Sequence, residues 1–170
     1  MKGRWAQGLE PRNFLWVIQG RLAASERPGG YSRSHRKVRR AEELVWLHQQ
    51  GFTRVISLLE SPHNLQAYRD ANIAYVQVPL LHKDDLTSSL KAIYDCIGAY
   101  LADPREKLLM HHEEFGERLV GVLGGLLLYL GMVDAPTHAI QLIERLTKRE
   151  LGAEGREIIA TTVREGLKKA

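Results

Sequence analysis

Lys107-Leu-Leu-Met-His-His-Glu-Glu-Phe-Gly-Glu-Arg118, followed by Leu119-Val-Gly-Val-Leu-Gly-Gly-Leu-Leu-Leu-Tyr-Leu-Gly-Met-Val133, is the stretch on which the fold turns. Lys107–His111 is a short apolar strand, His112–Arg118 a charged loop and Leu119–Val133 a helix with no charged side chain. A strand that turns straight into a helix start exposes several unpaired backbone N–H groups, backed by the positive end of the helix dipole. That geometry favours an anion. The helix has fifteen uncharged residues between Arg118 and Asp134, short of the ~20 that a membrane span needs. It is therefore expected in a domain core.

Outward from this stretch, short apolar runs alternate with helical patterns. Phe14–Ile18 is a β-prone run that Gly20–Ala24 continues or pairs with, and Glu26–Ser32 is a Pro/Gly loop. Ser34 is placed to cap a helix ending at Gly51, with Val38, Ala41, Leu44, Val45 and His48 on one face. Arg54–Leu59 and Ala74–Pro79 are strands, separated by a helical segment opened by Ser61-Pro62. The loop Leu80–Asp85 leads to a helix over 87–102 with Leu90, Ile93, Ile97 and Leu101 inward. Asp134 is placed to cap the next helix, with Ile140, Ile143 and Leu146 inward, and a last helix spans 153–167. This rhythm predicts an α/β fold: a mostly parallel central sheet of four or five strands with helices on both faces. Ligands of such sheets meet the loops at the strands' carboxyl ends, so 80–85 and 112–118 are expected to face one crevice.

The 170 residues suit one domain over 14–168 behind an N-terminal arm of 1–13. With 44% hydrophobic and 26% charged residues, bulk disorder is excluded. A net charge of +4 is too small to name an anionic partner, and nucleic acid is not expected. The single cysteine, Cys96, excludes an internal disulfide and is expected to pack in a helix. Met1–Gln7 has no apolar core of the signal-peptide kind, so the expectation is a cytoplasmic protein with no membrane partner. The run Arg33, His35, Arg36, Lys37, Arg39, Arg40 is expected to be a solvated helix face, and Trp5, Trp16 and Trp46 to serve packing.

The loop's spacing resembles that of the cysteine-dependent tyrosine and dual-specificity phosphatases, which carry His-Cys, five residues and Arg between their last core strand and a buried helix. Here stand His111, then His112 in the cysteine's place, five residues, and Arg118. The resemblance extends over about 14–165: Val55–Glu60 resembles the family's strand and acidic turn, and Tyr68–Pro79 its helix and proline-ended strand. Asp134–Ile140 with Ile143-Glu-Arg145 resembles the helix after the signature. It implies the dual-specificity phosphatase fold, with His111 as a core histidine under the loop.

The same resemblance leaves the catalytic parts incomplete. The family's nucleophile is a thiolate, which His112 does not have. The general acid, three residues past the strand-end proline, falls on His82, with Asp84 and Asp85 following. The usual loop glycines fall on Phe115 and Glu117, with Gly116 between them, and Leu119 replaces the usual Ser or Thr. Glu113, Glu114 and Glu117 oppose an anion, since a carboxylate about 5 Å from a phosphate dianion repels it by several kcal/mol at an effective dielectric near 20. Arg118 is expected to pair with Glu113, Glu114 or a loop aspartate.

Two functions fit. One is a pseudophosphatase: a non-catalytic module that recognises or regulates a protein partner or a phosphorylated ligand, with a degenerate loop of Glu113, Glu114, Phe115, Gly116 and Glu117. The other is a phosphoric-ester hydrolase of altered mechanism. Its nucleophile would be His112, with Arg118 holding the phosphoryl group and His82, Asp84 or Asp85 as acid, or a divalent metal on His82, His112, Asp85 and Glu114 would replace that chemistry. No other cofactor is implied.

Overall fold

A computed structural model of the chain describes residues 8–169. Five strands form one sheet: β1 (Leu15–Ile18), β2 (Leu22–Ser25), β3 (Arg54–Ser57), β4 (Ala74–Gln77) and β5 (Leu108–His111), in the order β1-β2-β5-β3-β4. β1 and β2 form an antiparallel hairpin turned at Gly20, whose φ of +74° suits glycine. β2–β5, β5–β3 and β3–β4 are parallel. β5 is the middle strand, with every residue buried, so its carboxyl end delivers His111 and the following loop from the most fixed part of the sheet. The α/β class, the strand number and the mostly parallel pairing are those expected.

Among the described residues six α-helices accompany the sheet: α1 (Lys37–Gln49), α2 (Leu65–Asp70), α3 (Leu86–Leu101), α4 (Glu117–Tyr129), α5 (Pro136–Thr147) and α6 (Ala153–Arg164). Contacts divide the chain into two compact units. The first runs to Pro79 and resumes from Asp103 to Phe115; the second takes Leu80–Ala102 and the chain from Gly116 on. No helix among the described residues is long and apolar enough to cross a membrane.

The first unit holds the sheet, α1 and α2. Its core joins Leu44 and Leu47 of α1, Leu65 and Tyr68 of α2, and Val55 and Leu109 of the sheet. The ring of Trp16 stacks on that of Phe52 with centroids 5.5 Å apart. The Lys107 ammonium lies 5.4 Å from the Trp16 ring and 5.1 Å from the Phe52 ring. It covers the stack with a cation–π contact. Trp16 and Trp46 are packing residues as expected; Trp5 lies outside the described residues. From Gly8 the N-terminal arm is tied down, with the Leu9 N–H donating to the Glu42 carbonyl at 3.1 Å.

α1 corrects the expected stripe. Its buried residues are Glu43, Leu44 and Leu47, while Val38 and Val45 are 71% and 40% exposed. Glu43 accepts from the Gly29 N–H and from Arg39, the latter at 2.7 Å. These bonds are how a carboxylate tolerates that face. Ser34 does not cap α1, because its hydroxyl donates to the Tyr31 carbonyl at 2.6 Å and the helix starts beyond an extended Arg36. α2 starts at Leu65 rather than Ser61, because Asn64 is left-handed (φ +71°).

In the second unit ten of the thirteen residues of α4 are buried, packed by α3, α5 and α6. The close approach of α4 to α6 needs glycine: a Cβ on Gly121 would lie 2.8 Å from the Gly155 Cα and carbonyl oxygen. Asp134 does not cap α5. Pro136 takes the first helical position, where its missing N–H is no loss, and Ala135 is extended before it. Asp134 instead meets His138 at 3.3 Å. Leu146 is 36% exposed, and Ala139 and Ile143 carry the buried face. α6 ends at Arg164, ahead of Gly166.

Gly121→Ala tests the α4–α6 seam. Because the clash is with backbone, which cannot swing away as a side chain can, the substitution is expected to destabilise by about 1–3 kcal/mol, read by urea denaturation. A neutral or stabilising effect contradicts the close packing.

Candidate functional site

The first unit supplies the foot of the loop. His111 is fully buried at the end of β5. Its Nδ1 lies 2.9 Å from the His112 carbonyl oxygen, which can only accept, so Nδ1 carries the proton. Its Nε2 then accepts from the Tyr68 hydroxyl at 2.8 Å, and the Tyr68 oxygen accepts in turn from the Asn64 amide at 3.2 Å. This chain of hydrogen bonds runs one way and leaves His111 neutral. Burial, with help from the charge of Arg27, pushes its pKa down to about 4, since a charged imidazolium is disfavoured away from water. The core role expected for His111 is what the geometry gives it.

Arg27 is the residue that sequence reading missed. Its side chain is only 8% exposed. Nε donates to the Asn64 side-chain oxygen at 3.0 Å, and Nη1 donates to Glu113 at 2.8 Å and lies 3.2 Å from His63. Glu113 also accepts from the Ser32 N–H at 3.3 Å. Burial alone would raise the Glu113 carboxyl; the hydrogen bond and charge of Arg27 outweigh it and hold the group below the ordinary carboxylate range. Glu113 is thus a tie between the loop and the segment after β2. Phe115 is buried, His112 half-buried and Glu114 exposed.

In the second unit, Gly116 is extended and α4 starts at Glu117. The Glu117 carboxylate accepts from the Gly155 N–H at 3.1 Å, capping α6 where a negative charge is favoured. The expected crowding of three glutamates is therefore corrected: Glu113 and Glu117 are both engaged elsewhere, and the repulsion reckoned from charge alone is overstated.

Arg118 also differs from expectation. Its Nε pairs with Glu154 at 3.2 Å, Nη1 meets His82 Nε2 at 2.9 Å, and Nη2 donates to the Leu81 carbonyl at 2.7 Å. Glu154 of α6 is a carboxylate partner that the expected set did not include. Every nitrogen of the guanidinium has a partner within its own unit, and both edges of the fork are taken. His82, at the expected acid position, acts as an acceptor for that fork. Asp84 and Asp85 follow in an exposed single turn, Lys83–Asp85, in which Lys83 is left-handed (φ +52°). A pocket of about 340 Å³ opens beside them, lined by His82, Lys83, Thr87, Arg118, Glu154 and Arg164 among others.

Among the described residues no group of three or more His, Cys, Asp or Glu could hold a metal ion. Cys96 is half-buried on α3, far along the chain from the loop.

Neither a family model nor a curated protein matches the chain. Solved structures do. The core catalytic domain of the PP-IP phosphatase SIW14 from S. cerevisiae, in complex with citrate, is 16% identical, with a TM-score of 0.66 over 90% of this chain and 87% of that one. A kinase-associated phosphatase with serine substituted for its catalytic cysteine is 19% identical, with a TM-score of 0.70 over 91% and 93%. A human DUSP28 variant is 15% identical, with a TM-score of 0.61 over 94% and 97%. The fold is that of the dual-specificity phosphatases. At these identities the likeness speaks for the fold alone.

The His111 relay makes a pH prediction. Its folded pKa, about 4, lies below the 6.5 of a free imidazole, so the unfolded chain takes up a proton first as the pH falls. Stability is complete above about 6.5 and is lost progressively toward about 4. His35, also lowered by burial, adds a slope of the same sign, and Glu113 adds a loss below its ordinary carboxyl value. Urea denaturation at a series of pH values is expected to show that slope, reduced in His111→Asn; an unchanged slope in the variant contradicts the relay.

Proposed function

We propose that this chain is a phosphatase-fold module that recognises or regulates a partner without the family's cysteine chemistry. The observation that carries the reading is Arg118. A phosphoryl group held in the loop needs the planar fork of that arginine, and the fork is committed to Glu154, His82 and the Leu81 carbonyl. Freeing it means breaking a salt bridge and leaving a carbonyl to find another donor. The absence of a thiol at His112 removes the nucleophile as well.

One observation favours the second reading, an ester hydrolase of altered mechanism. With Glu113 on Arg27 and Glu117 on α6, the loop repels an anion less than its composition suggests. His112 as nucleophile and His82 as acid are the residues that reading would use.

Turnover of para-nitrophenyl phosphate separates the two. The wild-type chain is expected to show none above buffer, with or without zinc or manganese, and His112→Cys is expected to restore none, because the Arg118 fork stays occupied. Turnover by the wild type that His112→Ala abolishes establishes the hydrolase. Robust turnover from His112→Cys alone shows that Arg118 is available after all.

A further inference from the structure

α1 and α2 of the first unit are joined at both ends and open between. At one end Arg40 Nη1 reaches the Asn64 side-chain oxygen at 3.4 Å; at the other, His48 Nε2 donates to the Ala71 carbonyl at 2.6 Å. Between them runs a groove of about 490 Å³ floored by Ala41, Leu44, Val45 and Ala67. Val38 is 71% exposed. It lies one turn before Ala41 on the same face of α1. Of the stripe that helical periodicity marks for the core, the fold buries Leu44 and leaves Val38, Ala41 and Val45 exposed. Isolated exposed valines need no explanation, but exposed apolar residues on successive turns beside a groove do.

The charges along the groove are ordered. Lys37 and Arg40 line it at the amino end of α1, and Asp70 lines it at the other end. The first turn of α1 contains no acidic residue and is preceded by Arg33 and Arg36. Cations there oppose the helix dipole, each at a cost of about 0.3–1 kcal/mol, and Arg40 gives its hydrogen bond to neutral Asn64. An arrangement unfavourable to the isolated helix becomes favourable if a carboxylate arrives from outside.

We infer that the α1–α2 groove docks an amphipathic helix of a partner protein, its apolar face on Ala41, Val45 and Ala67 and its acidic end against Lys37 and Arg40. The occupant is a helix because the groove lies between two helices and pairs an apolar floor with charges at its ends, the pattern of helix-in-groove recognition. Its acidic end lies at the amino end of α1, because Asp70 repels it from the other. The site shares no residue with the loop of His112 and Arg118, so it holds or fails whatever the crevice does.

The test uses the full chain and two synthetic amphipathic helices. Both carry leucines at i, i+3, i+4 and i+7; one ends in glutamates, its twin in lysines. Fluorescence anisotropy is expected to show the acidic peptide binding at least about tenfold more tightly than its twin. Lys37→Glu is expected to abolish that preference and Ala67→Glu to remove binding of both. Lys37→Glu places an acid in the first turn of α1, so its melting temperature is expected to stay level or rise, which separates lost docking from lost folding. No binding of the acidic peptide, equal affinity for the twins, or binding indifferent to both variants overturns the proposal. So does tighter capture by phosphatidylserine vesicles that Lys37→Glu abolishes, since that makes the surface a lipid site.

Discussion

An arginine offers a rigid fork of donors, and what the fork holds decides what the residue can do. In this chain Arg118 stands at the start of α4, and it holds protein. Glu154 takes its Nε, His82 one terminal nitrogen and the Leu81 carbonyl the other. These contacts join the start of α4 to the start of α6 and to the segment before α3. They sit beside a helix whose glycine-mediated contact with α6 leaves no room for a Cβ. A guanidinium used in this way stabilises its own surroundings.

The sheet side of the fold works in the same way. Arg27 occupies Glu113, the Tyr68 hydroxyl occupies His111, and Asn64, held left-handed at the start of α2, serves Arg27, Tyr68 and the Pro28 carbonyl together. A buried polar network of this kind is costly when broken and specific when whole. It fixes the end of β5 and the beginning of the loop without a thiolate to hold. A neutral His111 under the loop, and a carboxylate above it paired with a buried arginine, form a settled local structure.

Much of the fold was legible in the sequence because it rests on signals that survive without neighbours. The uncharged helix after a short apolar strand and the glycine that ends α1 each act locally. The errors arise where two local readings compete and only packing decides. On α1 both the Val38–Ala41–Val45 stripe and the Leu44–Leu47 pair have helical spacing. The buried side is the one that carries Glu43, because Gly29 and Arg39 satisfy its carboxylate. At the site, His82 and Arg118 are the residues that the family resemblance marks out, and they do meet. Arg27 and Glu154 are not among them, since each lies far along the chain from its partner and sits among charged or Pro/Gly residues that read as solvated. Composition counts the glutamates of the loop but not where their charge is met.

A crystal structure of the protein soaked with tungstate, a phosphate-like oxyanion, tests the central claim most directly. The account predicts that the Arg118 guanidinium stays on Glu154, His82 and the Leu81 carbonyl with no tungstate bound to it. A tungstate gripped by both edges of that fork, with Glu154 swung into solvent, would contradict it.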